Sequence, residues 1–256
     1  MNLPSRNSRS HKGENGKVAV IAGSRDYTGA PALASKAALR TGSDLVKTLT
    51  SKDIQDTVAS YSPNFIVRSY PGCYLSPNGV KPALELVRWA DVTLMGPGLS
   101  KPDTEALKQI FQNSQTKWVI DADGIKPAIE VEVSNAIFTP HNGEVKYITD
   151  AYGSIESFVE QTGNVVVEKG STDKIYSKNG VKENNTGTSA MTVGGTGDVL
   201  AGIIASLISQ GLELQNAGYT GAVINGKAGE RATETYGSGM LATDLIENIP
   251  GAMKNI

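Results

Sequence analysis

Short apolar runs that end in glycine or a polar residue recur along this chain, and helix-like patterns separate most of them. The first run, KVAVIAG (17–23), is continuous rather than alternating, which is typical of a parallel strand buried on both faces. The stretch GAPALASKAALRTG (29–42) then predicts a helix capped by Gly42. Because parallel strands are joined by right-handed crossovers, we expect a three-layer α/β/α fold: a largely parallel central sheet with helices on both faces.

The same pattern continues to the end of the chain. Further strands are predicted at 44–49, 64–70, 91–96, 117–123, 136–140 and 164–170, further helices at 78–90 and 102–113, and mainly helix after residue 195. Residues 1–15 are polar and predict a flexible segment. With no repeat and no linker in the remainder, residues 16–256 are expected to form a single domain.

Charge and cysteine content exclude several classes of protein. Lys and Arg total 24 against 26 Asp and Glu, so the net charge of −2 does not favour nucleic acid or an anionic membrane as a partner. Cys73 is the only cysteine, which excludes an internal disulfide and favours a reducing compartment. No apolar run approaches the ~20 residues of a membrane span, and the N-terminus lacks the apolar centre of a signal peptide. The expected location is therefore cytoplasmic.

Polar and glycine-rich loops follow five of the predicted strands. They read AGS, GPGLS, DADG, TPHNGE and KGST, in chain order. Ligands of open α/β sheets bind beyond the carboxyl ends of the strands. Turns favour Gly and Asp in any case, but five such loops at one edge of the sheet indicate a binding site.

The stretch MTVGGTGDVLAG (191–202) places glycines and one carboxylate before an apolar helix predicted at about 196–210. Gly195 and Gly197 leave the backbone amides free to approach an oxyanion at the positive end of that helix. Asp198 lies in the first turn, where the helix dipole is expected to lower its pKa. A weak base suits phosphoryl transfer, which mainly requires orientation of the attacking hydroxyl. The alternative is a glycine turn with Asp198 as an ordinary helix-start residue.

Two other loops offer side chains for phosphate or metal. His141 in TPHNGE could donate to a phosphate or ribose oxygen, or could be a structural histidine. Asp121 or Asp123 in DADG could hold a water of Mg²⁺, although capping of a helix by Asp123 is slightly favoured.

Two further loops are weaker signals. In EKGSTD (168–173), Lys169 and the backbone at 170–172 could bind a nucleotide, while a β-hairpin turn into KIYS is the compatible alternative. GPGLS (96–100) could lie against a ligand or be an ordinary strand-to-helix loop.

Several familiar site patterns do not occur. The chain has no G-x-x-x-x-G-K-[ST] loop, and GGTGDVLAG is not preceded by the βαβ unit of a dinucleotide fingerprint. It also has no zinc-type Cys/His spacing and no Gly-x-Ser-x-Gly elbow.

Seven motifs together resemble one family. HKGENGKVAVIAGS, GPGLS, DADG, TPHNGE, EKGSTD, MTVGGTGDVLAG and ATDLIENIP occur in the order found in ADP/ATP-dependent NAD(P)H-hydrate dehydratases. The resemblance covers residues 11 to about 250 and implies a ribokinase-like fold. One departure is Asn142, where the family usually has Pro or Ala.

The resemblance implies a hydro-lyase that repairs hydrated nicotinamide nucleotides. The S-form of NADH or NADPH hydrated at C6 (NADHX, NADPHX) would be dehydrated at the expense of ADP, or of ATP, with Mg²⁺. The family also implies a homo-oligomer, commonly a tetramer, and a separate epimerase that acts on the same metabolite.

Site residues follow from the resemblance position by position. Asp198 would be the catalytic base and would also contact the hydrate. The other implied hydrate-binding residues are Ala30, Gly98 and His141. The anion hole would be Gly195, Thr196 and Gly197, and the AMP part of the nucleotide would contact Lys169, Gly170, Ser171, Thr172, Asp173 and Gly197.

Two rival functions remain open on the sequence. A small-molecule kinase of the same fold, for hydroxyethylthiazole or hydroxymethylpyrimidine, would share the GTGD loop, although HKG and TPHNGE favour the dehydratase. A nucleotide-binding regulatory module is the second rival, and Asp198 argues against it because a pure binding site gains little from a carboxylate beside phosphates.

Overall fold

The predicted central sheet is present in a computed structural model that describes residues 3–254 and 256. The strands are β1 (Lys17–Ile21), β2 (Leu45–Ser51), β3 (Ile66–Tyr70), β4 (Val92–Met95), β5 (Lys117–Ile120), β6 (Ala136–Phe138), β7 (Val165–Glu168), β8 (Asp173–Ser177) and β9 (Gly180–Asn184). Their order in the sheet is β3-β2-β1-β4-β5-β6-β7-β8-β9. Strands β1 to β7 are parallel, and β8 and β9 add an antiparallel edge.

The helices are named in chain order. They are α1 (Ala30–Thr41), α2 (Gln55–Ser60), α3 (Pro77–Trp89), α4 (Thr104–Gln112), α5 (Ile125–Glu130), α6 (Asn142–Tyr152), α7 (Ile155–Thr162), α8 (Thr196–Ser209), α9 (Leu214–Tyr236) and α10 (Ala242–Met253). The helix predicted at 29–42 is confirmed, and Gly42 ends it at a φ of 115°, a conformation that favours glycine.

Alternating residues of each central strand fill two separate cores. Val18 and Val20 of β1 belong to the core shared with α1, α8, α9 and α10. Ala19 and Ile21 of the same strand belong to the core shared with α3 to α7. The three-layer α/β/α architecture follows directly from this alternation.

The strand order reverses between β1 and β4, which are neighbours in the sheet. The loops that follow these strands touch, because the Gly23 amide donates to the Pro97 carbonyl at 2.8 Å. Such a reversal opens a crevice at the carboxyl ends of the strands, and this crevice positions the site described below.

The start of the described chain is attached to the loop before β2. The amides of Gly13 and Asn15 donate to Asp44 Oδ2 at 2.9 and 3.0 Å. Arg6 adds an ion pair to the same carboxylate at 2.9 Å. Residues 1 and 2 lie outside the described residues, and flexibility of the segment 1–15 stays a prediction.

Candidate active site

The α8 N-terminus presents free backbone amides. Gly195 precedes the helix at a φ of 97°, and a Cβ there would lie 2.5 Å from Leu33 Cδ1, so glycine is required. The first helical bond of the segment runs from the Val199 amide to the Gly195 carbonyl at 3.1 Å. The amides of Thr196, Gly197 and Asp198 therefore precede the hydrogen-bond ladder of α8 and are available to an anion.

The Thr196 side chain holds this loop rather than facing a ligand. Its Oγ1 donates to the carbonyl of Met191 at 2.9 Å and lies 3.3 Å from that of Val193. Of the three predicted anion-hole residues, Thr196 can therefore contribute its backbone amide but not its hydroxyl.

Asp198 has the opposite pKa shift from the one predicted. Burial and the nearby charge of Asp121 raise its pKa to about 7, and the positive charge of Lys169 only partly offsets them. The predicted lowering by the helix dipole is wrong because desolvation of a carboxylate inside the crevice outweighs a dipole effect of at most ~2 kcal/mol. A carboxyl group with a pKa near 7 is well suited to accept a proton at neutral pH.

A buried ion pair lies beside Asp198. Lys169 Nζ donates to Asp121 Oδ1 at 2.7 Å, and Thr139 Oγ1 donates to the same oxygen at 2.8 Å. Burial disfavours the charged lysine, but the charge of Asp121 outweighs it and raises the pKa of Lys169. Lys169 is thus a permanent cation close to Asp198 and to Gly197, whose Cβ position would be 3.4 Å from Nζ.

Asp123 connects two loops and does not cap a helix through its side chain. Its Oδ2 accepts the Ser100 amide at 2.7 Å, and α5 begins after Gly124 with no side-chain cap. The preference for capping by Asp123 is therefore wrong, because the DADG loop turns its second carboxylate toward the GPGLS loop. Burial raises the pKa of Asp123.

Two of the predicted hydrate-binding positions lie side by side. A Cβ at Gly98 would be 2.9 Å from the Ala30 Cβ and 2.8 Å from the Tyr27 Cβ. Gly98 itself has a φ of 64°, so the GPGLS loop approaches the start of α1 as only glycine allows. This contact places the loop after β4 against the loop after β1.

His141 caps α6 through one ring nitrogen, and its second ring nitrogen, Nε2, lies 3.5 Å from Glu144 Oε1. Nδ1 accepts the Gly143 amide at 2.9 Å, while the His141 amide donates to Glu144 Oε2 at 2.9 Å. With Nδ1 as an acceptor, the neutral ring carries its proton on Nε2, and the side chain is 60% exposed. The structural interpretation and the donor interpretation of His141 are therefore compatible, and Asn142 simply begins the helix.

A cavity of about 430 Å³ adjoins the amides of α8, a size typical of small-ligand sites. Six of the predicted residues line it: Lys169, Gly170, Ser171, Asp173, Thr196 and Gly197. Asp173 closes the turn, since it accepts the Gly170 amide at 3.1 Å. Thr172 is not among the lining residues and donates to Asn185 Oδ1 at 2.8 Å. Ala30, Gly98, His141 and Asp198 are also not among them.

Sequence reasoning missed the other residues that line this cavity. It is formed by Thr186, Gly187, Thr188, Ser189, Met191, Thr192, Leu200, Asn225 and Gly226. The run NNTGTSAM carried a recognisable signal of small hydroxyl residues next to the glycine loop. Asn225 carried none, because only the packing of α9 brings it to the cavity.

A model of the NAD(P)H-hydrate dehydratase family matches residues 18–251. The chain belongs to this family. The ADP-dependent (S)-NAD(P)H-hydrate dehydratase of Haloterrigena turkmenica is 42% identical over 241 residues, which cover 94% of each chain. The expected family is thereby confirmed.

Solved structures of the family share the fold. The ADP/ATP-dependent NAD(P)H-hydrate dehydratase of Bacillus subtilis, co-crystallized with ATP/Mg²⁺, is 26% identical with a TM-score of 0.82 and covers 99% of this chain and 94% of that one. A ribokinase-like superfamily protein from Enterococcus faecalis is 26% identical with a TM-score of 0.86, covering 99% and 92%. The predicted ribokinase-like fold is confirmed.

The described residues contain neither a membrane-spanning helix nor a cluster of metal ligands. None of the helices in the described part of the chain is both long and apolar enough to cross a membrane. Across residues 3–254 and 256, no group of three or more His, Cys, Asp or Glu residues is arranged to hold a metal ion.

Proposed function

We propose that the protein dehydrates the S-form of NADH or NADPH hydrated at C6, with ADP as the phosphate donor. The observation that carries the proposal is Asp198, which has a pKa of about 7 and lies in the first turn of α8, next in sequence to Gly197 of the cavity lining. The family match supports this hydro-lyase reaction over a small-molecule kinase.

The reaction proceeds in two steps. Asp198 accepts the proton of the C6 hydroxyl, whose oxygen attacks the terminal phosphorus of ADP while the bond to the departing AMP oxygen breaks. The C6–O bond then breaks as the ring nitrogen supplies its electron pair, phosphate leaves, and loss of a proton from C5 completes the double bond. Phosphate is a far better leaving group than hydroxide, so the products are NAD(P)H, AMP and phosphate.

Two groups stabilise the negative charge of the transferring phosphoryl group. The amides of Gly195, Thr196 and Gly197 supply fixed dipoles that need no reorganisation during the reaction. Lys169 adds a positive charge, held in place by its 2.7 Å contact with Asp121. The stretch from Gly170 to Asp173 would hold the AMP part, Thr172 being the member for which the cavity gives least support.

The hydrate would lie on the opposite side of Asp198, toward the contact between Gly98 and Ala30. His141 would donate from Nε2 to an oxygen of the hydrate, because Nδ1 is already engaged by the Gly143 amide. These assignments follow the family pattern, and the adjacency of Ala30 and Gly98 supports them.

The residues fit a magnesium ion held mainly by the nucleotide. Mg²⁺ is usually bound through one or two carboxylates together with substrate phosphates. Asp121 would hold one of its waters, since Lys169 and Thr139 contact only Oδ1 of that carboxylate. Asp123 fits less well because Ser100 already occupies its Oδ2. When bound, the ion would neutralise phosphate charge.

We further propose a cytoplasmic homo-oligomer, a tetramer as is common in the family, that works with a separate epimerase. These properties extend the family resemblance to this chain. ADP is proposed over ATP because the related H. turkmenica protein is an ADP-dependent enzyme.

The test is to incubate the protein with ADP, Mg²⁺ and hydrated NADH and to follow absorbance of the reduced nicotinamide. We expect the absorbance to recover only with ADP present, with one AMP formed per NADH. No recovery, together with phosphorylation of a thiazole or pyrimidine alcohol, would establish the kinase instead.

A further inference from the structure

Asn225 lines the nucleotide cavity, and its buried side-chain oxygen has no hydrogen-bond partner in the part of the chain that the structure describes. It lies in the middle of α9 and is 7% exposed. Within the described residues its Oδ1 accepts no hydrogen bond. The same residue lines the cavity together with Leu200 and Gly226.

An unpaired side-chain oxygen at this position does not serve the fold. The buried positions around it on α9 are mostly small or apolar, such as Ala222, Val223 and Ile224. A buried polar group without a partner destabilises the folded state relative to an apolar residue of the same shape. An asparagine here is therefore explained by a group that enters the cavity and is not part of the chain.

The cavity indicates which part of a nucleotide reaches Asn225. Its anion-binding end is the start of α8, with Gly197 and Lys169. Leu200 lies one turn further along α8, and with Met191 it supplies apolar surface that suits the faces of an aromatic base. The phosphates would thus lie at the start of α8, and the base would lie against Leu200, Met191 and Asn225.

We infer that Asn225 reads the edge of the nucleotide base and selects adenine over guanine, an inference that rests on the proposed use of ADP. An asparagine amide offers one acceptor and one donor side by side, which matches the N6 amine and N7 of adenine. Guanine presents two acceptors, O6 and N7, at the corresponding edge, so the Asn225 oxygen would face another oxygen.

The test compares ADP and GDP binding by titration calorimetry in wild type, Asn225→Leu and Asn225→Asp. Leucine keeps the shape without polar atoms, and aspartate keeps the acceptor but loses the donor. Asn216→Ala is the matched control, because Asn216 is an exposed asparagine on the same helix. Thermal unfolding without nucleotide is measured for every variant.

We expect wild type and Asn216→Ala to prefer ADP over GDP by about tenfold or more, and both Asn225 variants to lose most of that preference. Asn225→Leu should unfold at a temperature no lower than wild type, since it removes an unpaired buried group. An unchanged ADP/GDP ratio in folded Asn225→Leu or Asn225→Asp would overturn this inference alone. Failure of the wild type to bind ADP would overturn it together with the proposed function.

Discussion

Asp198 illustrates at the scale of one residue how a site can act against the stability of the fold. The folded state raises its pKa from an ordinary 3.8 to about 7, mainly through burial and the nearby Asp121. Below pH 4 the carboxyl group is protonated in both states, and above pH 7 it is ionised in both. Stability contributed by this group is therefore lost as the pH rises from about 4 to 7.

The first prediction concerns Asp198→Asn. It should raise the free energy of unfolding by about 2 kcal/mol at pH 8, after allowance for partial solvent screening, and by little near pH 4. Dehydration should fall by about 10²- to 10⁴-fold, because the base is lost. Thermal unfolding at the two pH values and the ADP-dependent assay measure both effects.

Asp150→Asn provides the control, since Asp150 is an exposed carboxylate of α6. It should change neither quantity appreciably. Full turnover by Asp198→Asn would show that this carboxylate is not the base.

Properties of single residues can be predicted from the sequence when they arise from neighbouring residues in the chain, and not when they arise from tertiary packing. Free amides beside an acid were predictable from GGTGD, because glycine geometry and helix polarity are local properties. The raised pKa of Asp198 was not, because its burial and its proximity to Asp121, which is distant in the chain, arise only in the folded structure. The unpaired Asn225 was likewise invisible, since its burial arises from the packing of α9.

At the scale of elements, the approach of α8 to α1 and α10 determines where the anion site lies. A Cβ at Gly195 would meet Leu33 of α1 and Ala242 of α10, at 2.5 and 3.2 Å. Gly194, the preceding residue, would have nothing within 4 Å of its Cβ. The fold therefore has room for a side chain at residue 194 but not at residue 195.

The second prediction uses this difference. Gly195→Ala should lose about 2 kcal/mol or more of unfolding free energy, through the positive φ and the steric contact, and about 10²-fold or more in activity. Gly194→Ala should stay within about 0.5 kcal/mol of wild type. Chemical denaturation of both variants tests the pair, and equal losses would contradict the assigned role of Gly195.

The third prediction concerns the ion pair between Asp121 and Lys169, the residues that directly follow β5 and β7. Lys169→Met leaves Asp121 buried without its partner and should cost about 3–5 kcal/mol of unfolding free energy. Adding Asp121→Asn should recover most of that stability but none of the activity, because the cation beside the phosphates is still absent. A double variant that regained turnover would show that Lys169 serves only the fold.

Elements were predicted well where periodicity is long and local. The α1 prediction held because its small apolar residues repeat over three turns and Gly42 ends it. The capping preference for Asp123 failed because a carboxylate after a strand can contact either its own helix or a neighbouring loop. The Ser100 amide, which donates to Asp123 Oδ2 at 2.7 Å, shows that the neighbouring loop is the partner.

At the scale of the whole molecule, the two cores share every central strand. Val18 and Ala19 are adjacent in sequence and lie in opposite cores, so neither helical layer can separate without exposing the sheet. This sharing supports the prediction of a single domain over residues 16–256.

The fourth prediction is therefore one cooperative unfolding transition without nucleotide. ADP at 100 times its dissociation constant should stabilise the folded state by about 2.7 kcal/mol and raise the melting temperature by several degrees. Scanning calorimetry with and without ADP measures both. Two resolved transitions in the absence of ligand would contradict the single domain.

The central claim is that the α8 amides hold the terminal phosphate of the nucleotide while Asp198 orients the substrate hydroxyl. A crystal structure with ADP and a hydrated nicotinamide nucleotide bound to Asp198→Asn tests it most directly. We predict phosphate oxygens within hydrogen-bond distance of the amides of residues 195–197, and the C6 hydroxyl against the side chain at 198. Nucleotide bound at another loop, or residue 198 turned away from the hydroxyl, would contradict the claim.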